Sequence, residues 1–223
     1  MTNRRALSSL FLVLFFLNVN AQEKDFGIWY NANFEMELAK NLEFDFWGSV
    51  RTYNRASKVE EAFGEMGLGY KISKRFSVGG KYRFTEKIEK DNIFHPRHKW
   101  IGEFKAKFDI SRTELSGRVR FQRQDKTYYE DSNDEIPDYY LRLKLKAVYR
   151  TPSFPVNPYA SVESFSRVFE QADYTIEKYR ICLGLEYKIG KKNSFDLEYL
   201  FQKDYQPDLS CSSILGIGYK FKL

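Results

Sequence analysis

Beyond residue 22 the chain lacks any apolar run long enough to cross a bilayer as a helix, which takes about 20 residues. Mean hydropathy is −0.56 and 30% of residues are charged, which excludes a helical membrane protein. Cysteine is scarce: Cys182 and Cys211 are the only two, so there is no paired-cysteine metal motif. They fall on opposite side-chain parities of the strands assigned below and are expected as free thiols. Histidine is equally scarce, with only His95 and His98, and two ligands do not close a zinc site. There is no glycine-rich phosphate loop and no nucleophile elbow. The formal charge of +6 is spread along the chain, whereas nucleic-acid binding wants a concentrated basic patch. No cofactor, no metal and no nucleic-acid partner is expected.

What is present begins with a leader. Arg4 and Arg5 precede an apolar stretch from Leu10 to Leu17, and Val19-Asn20-Ala21 supplies the small or apolar residues of a signal-peptidase site. This pattern predicts an export signal over 1–21, cleaved before Gln22, and one mature domain over 22–223. Cleavage takes the formal charge from +6 to +4.

The mature region alternates apolar and polar residues almost without interruption from residue 28 onward. Ile28, Tyr30, Ala32, Phe34, Met36 and Leu38 oppose Asn31, Asn33, Glu35 and Glu37. Trp100, Phe104, Ala106, Phe108 and Ile110 oppose Glu103, Lys105, Lys107 and Asp109. Tyr179, Ile181, Leu183, Leu185, Tyr187 and Ile189 oppose Arg180, Glu186 and Lys188. The pattern predicts about eleven strands, within a range of 10 to 12. Each is roughly 10–14 residues long, whereas soluble strands average about 5–6 and a tilted transmembrane strand needs about 9–11. Short connections at Lys40-Asn41, Ser73-Lys74-Arg75, Ser111-Arg112 and Gly190-Lys191-Lys192-Asn193 alternate with longer polar ones at 55–59, 86–96, 124–137, 167–173 and 203–209; residues 150–156 fall on the short side.

Together these features predict an all-β, antiparallel, up-and-down transmembrane barrel with short periplasmic turns and longer extracellular loops. A soluble barrel would have to keep an eleven-strand interior dry and filled with aromatics, whereas a charged interior holding water and ion pairs is easier to build. Tyr70, Phe76, Tyr139, Tyr149, Tyr187 and Tyr219, near strand ends, suit interfacial girdles. The odd strand count starts the first strand at the outside. That leaves open a missed strand, a split strand, or residues 22–39 reaching the outside through the lumen.

The segments Ile28-Trp29-Tyr30, Val50-Arg51-Thr52-Tyr53, Leu68-Gly69-Tyr70-Lys71-Ile72, Gly80-Lys81-Tyr82-Arg83-Phe84 and Pro158-Tyr159-Ala160-Ser161-Val162-Glu163 make the mature region resemble a family of exported bacterial proteins, the domain of unknown function 2490. The resemblance implies an outer-membrane barrel and supplies no activity and no site residues. The last strand, ending Tyr219-Lys220-Phe221-Lys222-Leu223, resembles the terminal signal read by barrel-assembly machinery. Membrane lipid, lipopolysaccharide and that machinery are the expected partners.

Candidate function lies in the lumen or the outer loops. The inward basic candidates are Lys81, Arg83, Lys105, Lys107, Arg118, Arg120, Arg142, Lys144 and Lys146; the acidic ones are Glu43, Asp45, Glu61 and Glu65. They either pair and plug the interior, as buried charges tend to, or form an electropositive wall for a small anion-favouring pore. A non-conducting barrel acting through its loops is the alternative. A lipid hydrolase is the third reading, with His95 or His98 as base and Ser164 or Ser166 as nucleophile near Glu163 or Asp173; it lacks a connecting motif. Strand glycines such as Gly67 and Gly216 are expected to give room to large lumen neighbours.

Overall fold

The computed structural model describes residues 24–129, 136–169, 176–206 and 209–223; the predicted leader lies outside them, as does Asp173. Eleven strands form a single closed barrel: β1 (Lys24–Ala39), β2 (Leu42–Tyr53), β3 (Lys58–Lys71), β4 (Phe76–Ile88), β5 (Phe94–Ile110), β6 (Thr113–Lys126), β7 (Asp138–Tyr149), β8 (Val156–Val168), β9 (Ile176–Ile189), β10 (Asn193–Asp204) and β11 (Ser210–Lys222). Each pairs with its sequence neighbours in antiparallel register. The expected antiparallel meander holds at every junction but one. β1 and β11 close the barrel in parallel, from Lys24↔Cys211 to Glu35↔Lys222. An odd number of up-and-down strands leaves the first and last pointing the same way. That accounts for the eleventh strand without a missing or split one.

Four predicted loops are shorter than expected, 124–137 becoming 127–137 and 203–209 becoming 205–209. β4 continues to Ile88 and β5 begins at Phe94, so the 86–96 connection shrinks to 89–93; the 55–59 connection becomes 54–57. The period-two pattern persists into the latter two, because polar rim residues still take strand geometry when cross-strand partners such as Lys87↔His95 are available. The short turns have the expected local chemistry: Asn41 (φ 69°) and Gly190 (φ 68°) take the left-handed backbone that their residue types tolerate.

Alternation decides what faces where. The apolar parity of every strand points outward, with Trp100, Leu145 and Met66 among its exposed residues. The polar parity points inward. At a strand spacing of about 4.8 Å and a tilt of about 40°, eleven strands give a backbone radius of roughly 11 Å. Long inward side chains can meet across such a lumen. Aromatic rings on the outer wall fall in two belts. Phe34, Phe44 and Phe221 pack together near the short turns, as do Phe76, Phe104 and Phe108; Tyr82 and Trp100 pack near the other rim, as do Phe121, Tyr139 and Phe169. Tyr139 and Tyr149 bound β7, and ten residues at about 3.4 Å and that tilt span roughly 26 Å, the height of a membrane-facing apolar band.

Candidate functional site: the charged lumen

The lumen is organised around carboxylates that face several cations each. Glu65 on β3 is fully buried. Its Oε2 accepts hydrogen bonds from Arg83 Nε (2.9 Å) and Nη2 (2.5 Å) on β4, and its Oε1 lies 3.4 Å from Arg120 Nη2 and 3.6 Å from Lys81 Nζ. Glu103 on β5 accepts from Arg120 Nε at 2.7 Å and sits 3.7 Å from Lys81 and 2.6 Å from Lys105. Asp45 on β2 pairs with Lys81. A second node is Glu163 on β8: its Oε1 accepts from Arg118 (2.8 Å) on β6 and from Arg142 Nε (3.2 Å) and Nη2 (2.9 Å) on β7. Lys144 stands directly across the strand pair from Glu163. Buried charges on this scale persist because Glu65, Glu103 and Glu163 each face more than one donor.

Aromatic rings complete a belt around the wall. The Arg51 guanidinium pairs with Glu61 and lies 3.9 Å from the Trp29 ring and 4.8 Å from that of Phe63. Arg83 lies 3.9 Å from Phe63 and 4.8 Å from Trp47. Arg180 lies 4.9 Å from Trp29 and 4.6 Å from Phe165, and Arg142 lies 4.4 Å from Phe165. Guanidinium and ring thus alternate from β7 through β8, β9, β1, β2 and β3 to β4, where Glu65 hands the belt on to Arg120. Each contact of this kind is worth about 0.5–2 kcal/mol, the more when water is excluded. Below the belt, the Tyr159 hydroxyl donates to Asp196 (2.6 Å) and lies 3.1 Å from Glu198, with Lys146 Nζ 3.7 Å from its ring and the Cys182 thiol 3.1 Å from Glu198. Glycine makes this cluster possible: a Cβ on Gly184 would lie 2.3 Å from Tyr159, and one on Gly216 would lie 2.4 Å from Glu198.

The sequence-derived candidates therefore separate. Lys81, Arg83, Arg118, Arg120, Arg142, Asp45, Glu61 and Glu65 converge in the lumen, with Lys144 and Lys146 lower down. Glu43, Lys105 and Lys107 keep the inward parity but sit partly exposed at the short-turn rim. There Glu43 pairs with Lys71 (2.6 Å) and Lys107 with Glu114 (2.7 Å). Arg51, Arg180, Glu103, Trp29, Phe63 and Phe165 were not among the candidates, although aromatic residues interrupting a polar parity were a visible signal.

The histidines do not meet. His98 lies on the outer wall, its Nδ1 2.7 Å from the Tyr82 hydroxyl, beside the Phe84 ring. His95, of opposite parity, stacks on Tyr128 and donates from Nε2 to Asp91 at 2.7 Å. That hydrogen bond, with a second from the Ile93 amide, holds the Asp91 carboxyl below its usual range. Ser164 and Ser166 are on β8, three strand positions from β5, or roughly 14 Å, while Glu163 points into the lumen. The two thiols are not bonded to each other. Among the described residues no group of carboxylates, histidines and cysteines could hold a metal ion.

A depression of about 560 Å³ lies on the outer wall. Ala32, Gly48, Gly64 and Ala62 form its floor, and Tyr30, Val50, Phe84 and Glu86 its sides.

A closed barrel with an apolar outer wall, two aromatic belts and a charged interior defines an outer-membrane-type β-barrel. The family model described as "Protein of unknown function (DUF2490)" matches residues 26–210, and the chain belongs to that family. Among solved structures it is similar in fold to the β domain of the Bordetella autotransporter BrkA, with a TM-score of 0.50 and 14% identity over 82% of this chain and 84% of that one. No curated protein matches the chain in sequence.

Proposed function

We propose that the chain is an outer-membrane barrel that does not conduct at rest. It acts as a structural or interaction barrel whose outer loops meet lipopolysaccharide or a partner, while an arginine–aromatic plug seals its lumen. The observation behind this reading is that every strand contributes an inward side chain that is almost wholly buried. Trp29, Arg51, Glu65, Arg83, Ile101, Arg120, Arg142, Glu163, Cys182, Leu200 and Ile214 are all at most 8% exposed. A water-filled channel would leave such a wall solvated. Exposed apolar residues next to the outer loops, Ile93 and Ile136 among them, suit contact with lipid or a partner there. The reading predicts a folded band that shifts on boiling and a flat current trace in planar bilayers. Discrete conductance steps from the purified wild-type protein would overturn it.

A gated anion-selective pore is the second reading. Arg118, Arg120, Arg142 and Lys144 outnumber the carboxylates around Glu163, so any channel that opened here would have an electropositive wall. In that case the conductance steps would favour anions, and replacing Arg118 and Arg120 by Glu would weaken or reverse the preference.

A further inference from the structure

The two rims differ in charge. The five short-side connections, 40–41, 72–75, 111–112, 150–155 and 190–192, hold seven lysines and arginines and no aspartate or glutamate. The five on the opposite side, 54–57, 89–93, 127–137, 169–175 and 205–209, hold nine carboxylates and two cations. From this asymmetry we propose that the short-turn rim is a collar that binds the headgroups of anionic phospholipid. The proposal rests on the reading of the chain as a lipid-embedded barrel.

Three observations support it. First, six of the seven collar cations are unneutralised; Arg150 alone pairs, with Asp109 and Glu114. Several carboxylates of the adjacent strand ends are already taken, Glu35 by Lys220 (2.7 Å), Glu43 by Lys71 (2.6 Å) and Glu114 by Lys107 (2.7 Å) and Arg150 (2.5 Å), while Glu37 is exposed with no ion pair among the described residues. Lys40, Lys74, Arg75, Arg112, Lys191 and Lys192 are exposed and have no ion pair among the described residues. Second, they sit at headgroup height. Each follows the aromatic belt of its strand by only a few residues, at about 3.4 Å per residue. Third, Arg75 of the collar faces the lipid side. The Arg75 guanidinium lies 5.8 Å from the ring of Phe108, which packs with Phe76 on the outer wall. A ring of cations just beyond an apolar band complements a leaflet carrying phosphate charge. Each cation near such a surface favours binding about fivefold at moderate ionic strength.

The test uses the full mature chain folded into phosphatidylcholine vesicles, with or without one-third phosphatidylglycerol. Spin-labelled phosphatidylglycerol and phosphatidylcholine report which lipid the protein retains. The wild type is expected to prefer the anionic label at least about fivefold in low salt, and added salt should erode the preference. Combining Lys40→Gln, Lys74→Gln, Arg75→Gln, Arg112→Gln, Lys191→Gln and Lys192→Gln should bring the ratio close to one while the boiling-dependent gel shift persists. Arg55→Gln, in a connection of the opposite rim, should leave it unchanged. A wild type with no preference, or a folded collar variant that keeps it, overturns the collar and leaves the barrel reading standing. A chain that neither inserts nor shows the gel shift overturns both.

Discussion

Replacing Glu65 by glutamine keeps the shape of the side chain and one oxygen acceptor, and removes a charge that three cations share. Two of those cations have other counter-ions. Arg120 keeps Glu103 at 2.7 Å, and Lys81 keeps Asp45 and Glu103. Arg83 is left with the faces of Phe63 and Trp47. Its side chain is 4% accessible and that of Glu65 is 1%, so little solvent screening softens the loss. Removing one partner of a buried pair costs about 3–5 kcal/mol. The two rings still contact Arg83, which places E65Q near the lower end, about 3 kcal/mol. With a urea slope of about 2 kcal/mol per molar, the unfolding midpoint should fall by roughly 1.5 M. The assay is urea unfolding in lipid vesicles followed by tryptophan fluorescence. Glu43→Gln supplies the contrast. Its pair with Lys71 has side chains 31% and 41% accessible, and pairs that exposed contribute about 0–1 kcal/mol. Adding Arg83→Met to Glu65→Gln should recover much of the lost stability, since no charge is then stranded. If E65Q unfolds within about 0.3 M of the wild type, the network does not hold the lumen together and the plug argument fails.

Gly184→Ala should destabilise by about 1–3 kcal/mol in the same assay, because its methyl group must displace the Tyr159 ring from Asp196; a neutral result would mean that the ring moves freely. In the 89–93 loop, His95→Ala should raise the Asp91 titration midpoint, read by carboxyl NMR. The native carboxyl is depressed mainly by the His95 hydrogen bond, so its contribution is present above the unfolded value near 3.9 and fades as pH falls through the folded one; an unmoved midpoint would refute the contact. Trp29→Ala should speed amide exchange in β1 and β11 more than in β5 and β6. Truncating a buried tryptophan typically costs about 3–5 kcal/mol, and this one also gives up two guanidinium contacts. Uniform exchange across the barrel would count against the seam role.

Strand number, face assignment and rim alternation were legible in the sequence because each depends on period two and on turn residues. One face of β9 runs Tyr179-Ile181-Leu183-Leu185-Tyr187 without a break, which fixes both its orientation and its height in the band. What was not legible depends on which strands meet. Glu103 and Glu163 could be read only as polar-parity residues, since their roles come from cations on other strands: Arg120 for Glu103, and Arg118 with Arg142 for Glu163. Trp29, Phe63 and Phe165 broke the polar parity of their strands in plain sight. Their meaning needed Arg51, Arg83 and Arg180, the last of which is more than a hundred residues from Trp29, one of the rings it serves. The histidines failed as a pair for a local reason: three residues apart on a strand, they take opposite faces.

The parallel seam ties these parts together. Parallel pairing is slightly weaker per residue than antiparallel, and the seam joins the two strands most distant in sequence, so its closure entropy is the largest in the barrel. The structure concentrates lumen contacts across it. Trp29 on β1 sits between Arg51 of β2 on one side and Arg180 of β9 on the other, so a single ring links the sheet over the seam and past β10 and β11. At the short-turn end, Lys220 and Lys222 of β11 reach Glu35 of β1, and Lys222 also lies 3.7 Å from Glu43 of β2. An electropositive belt that fills the lumen therefore also staples the weakest junction. Opening the lumen by removing the belt would loosen the seam as well, which makes a permanently open pore and a stable eleven-strand closure competing demands on the same residues.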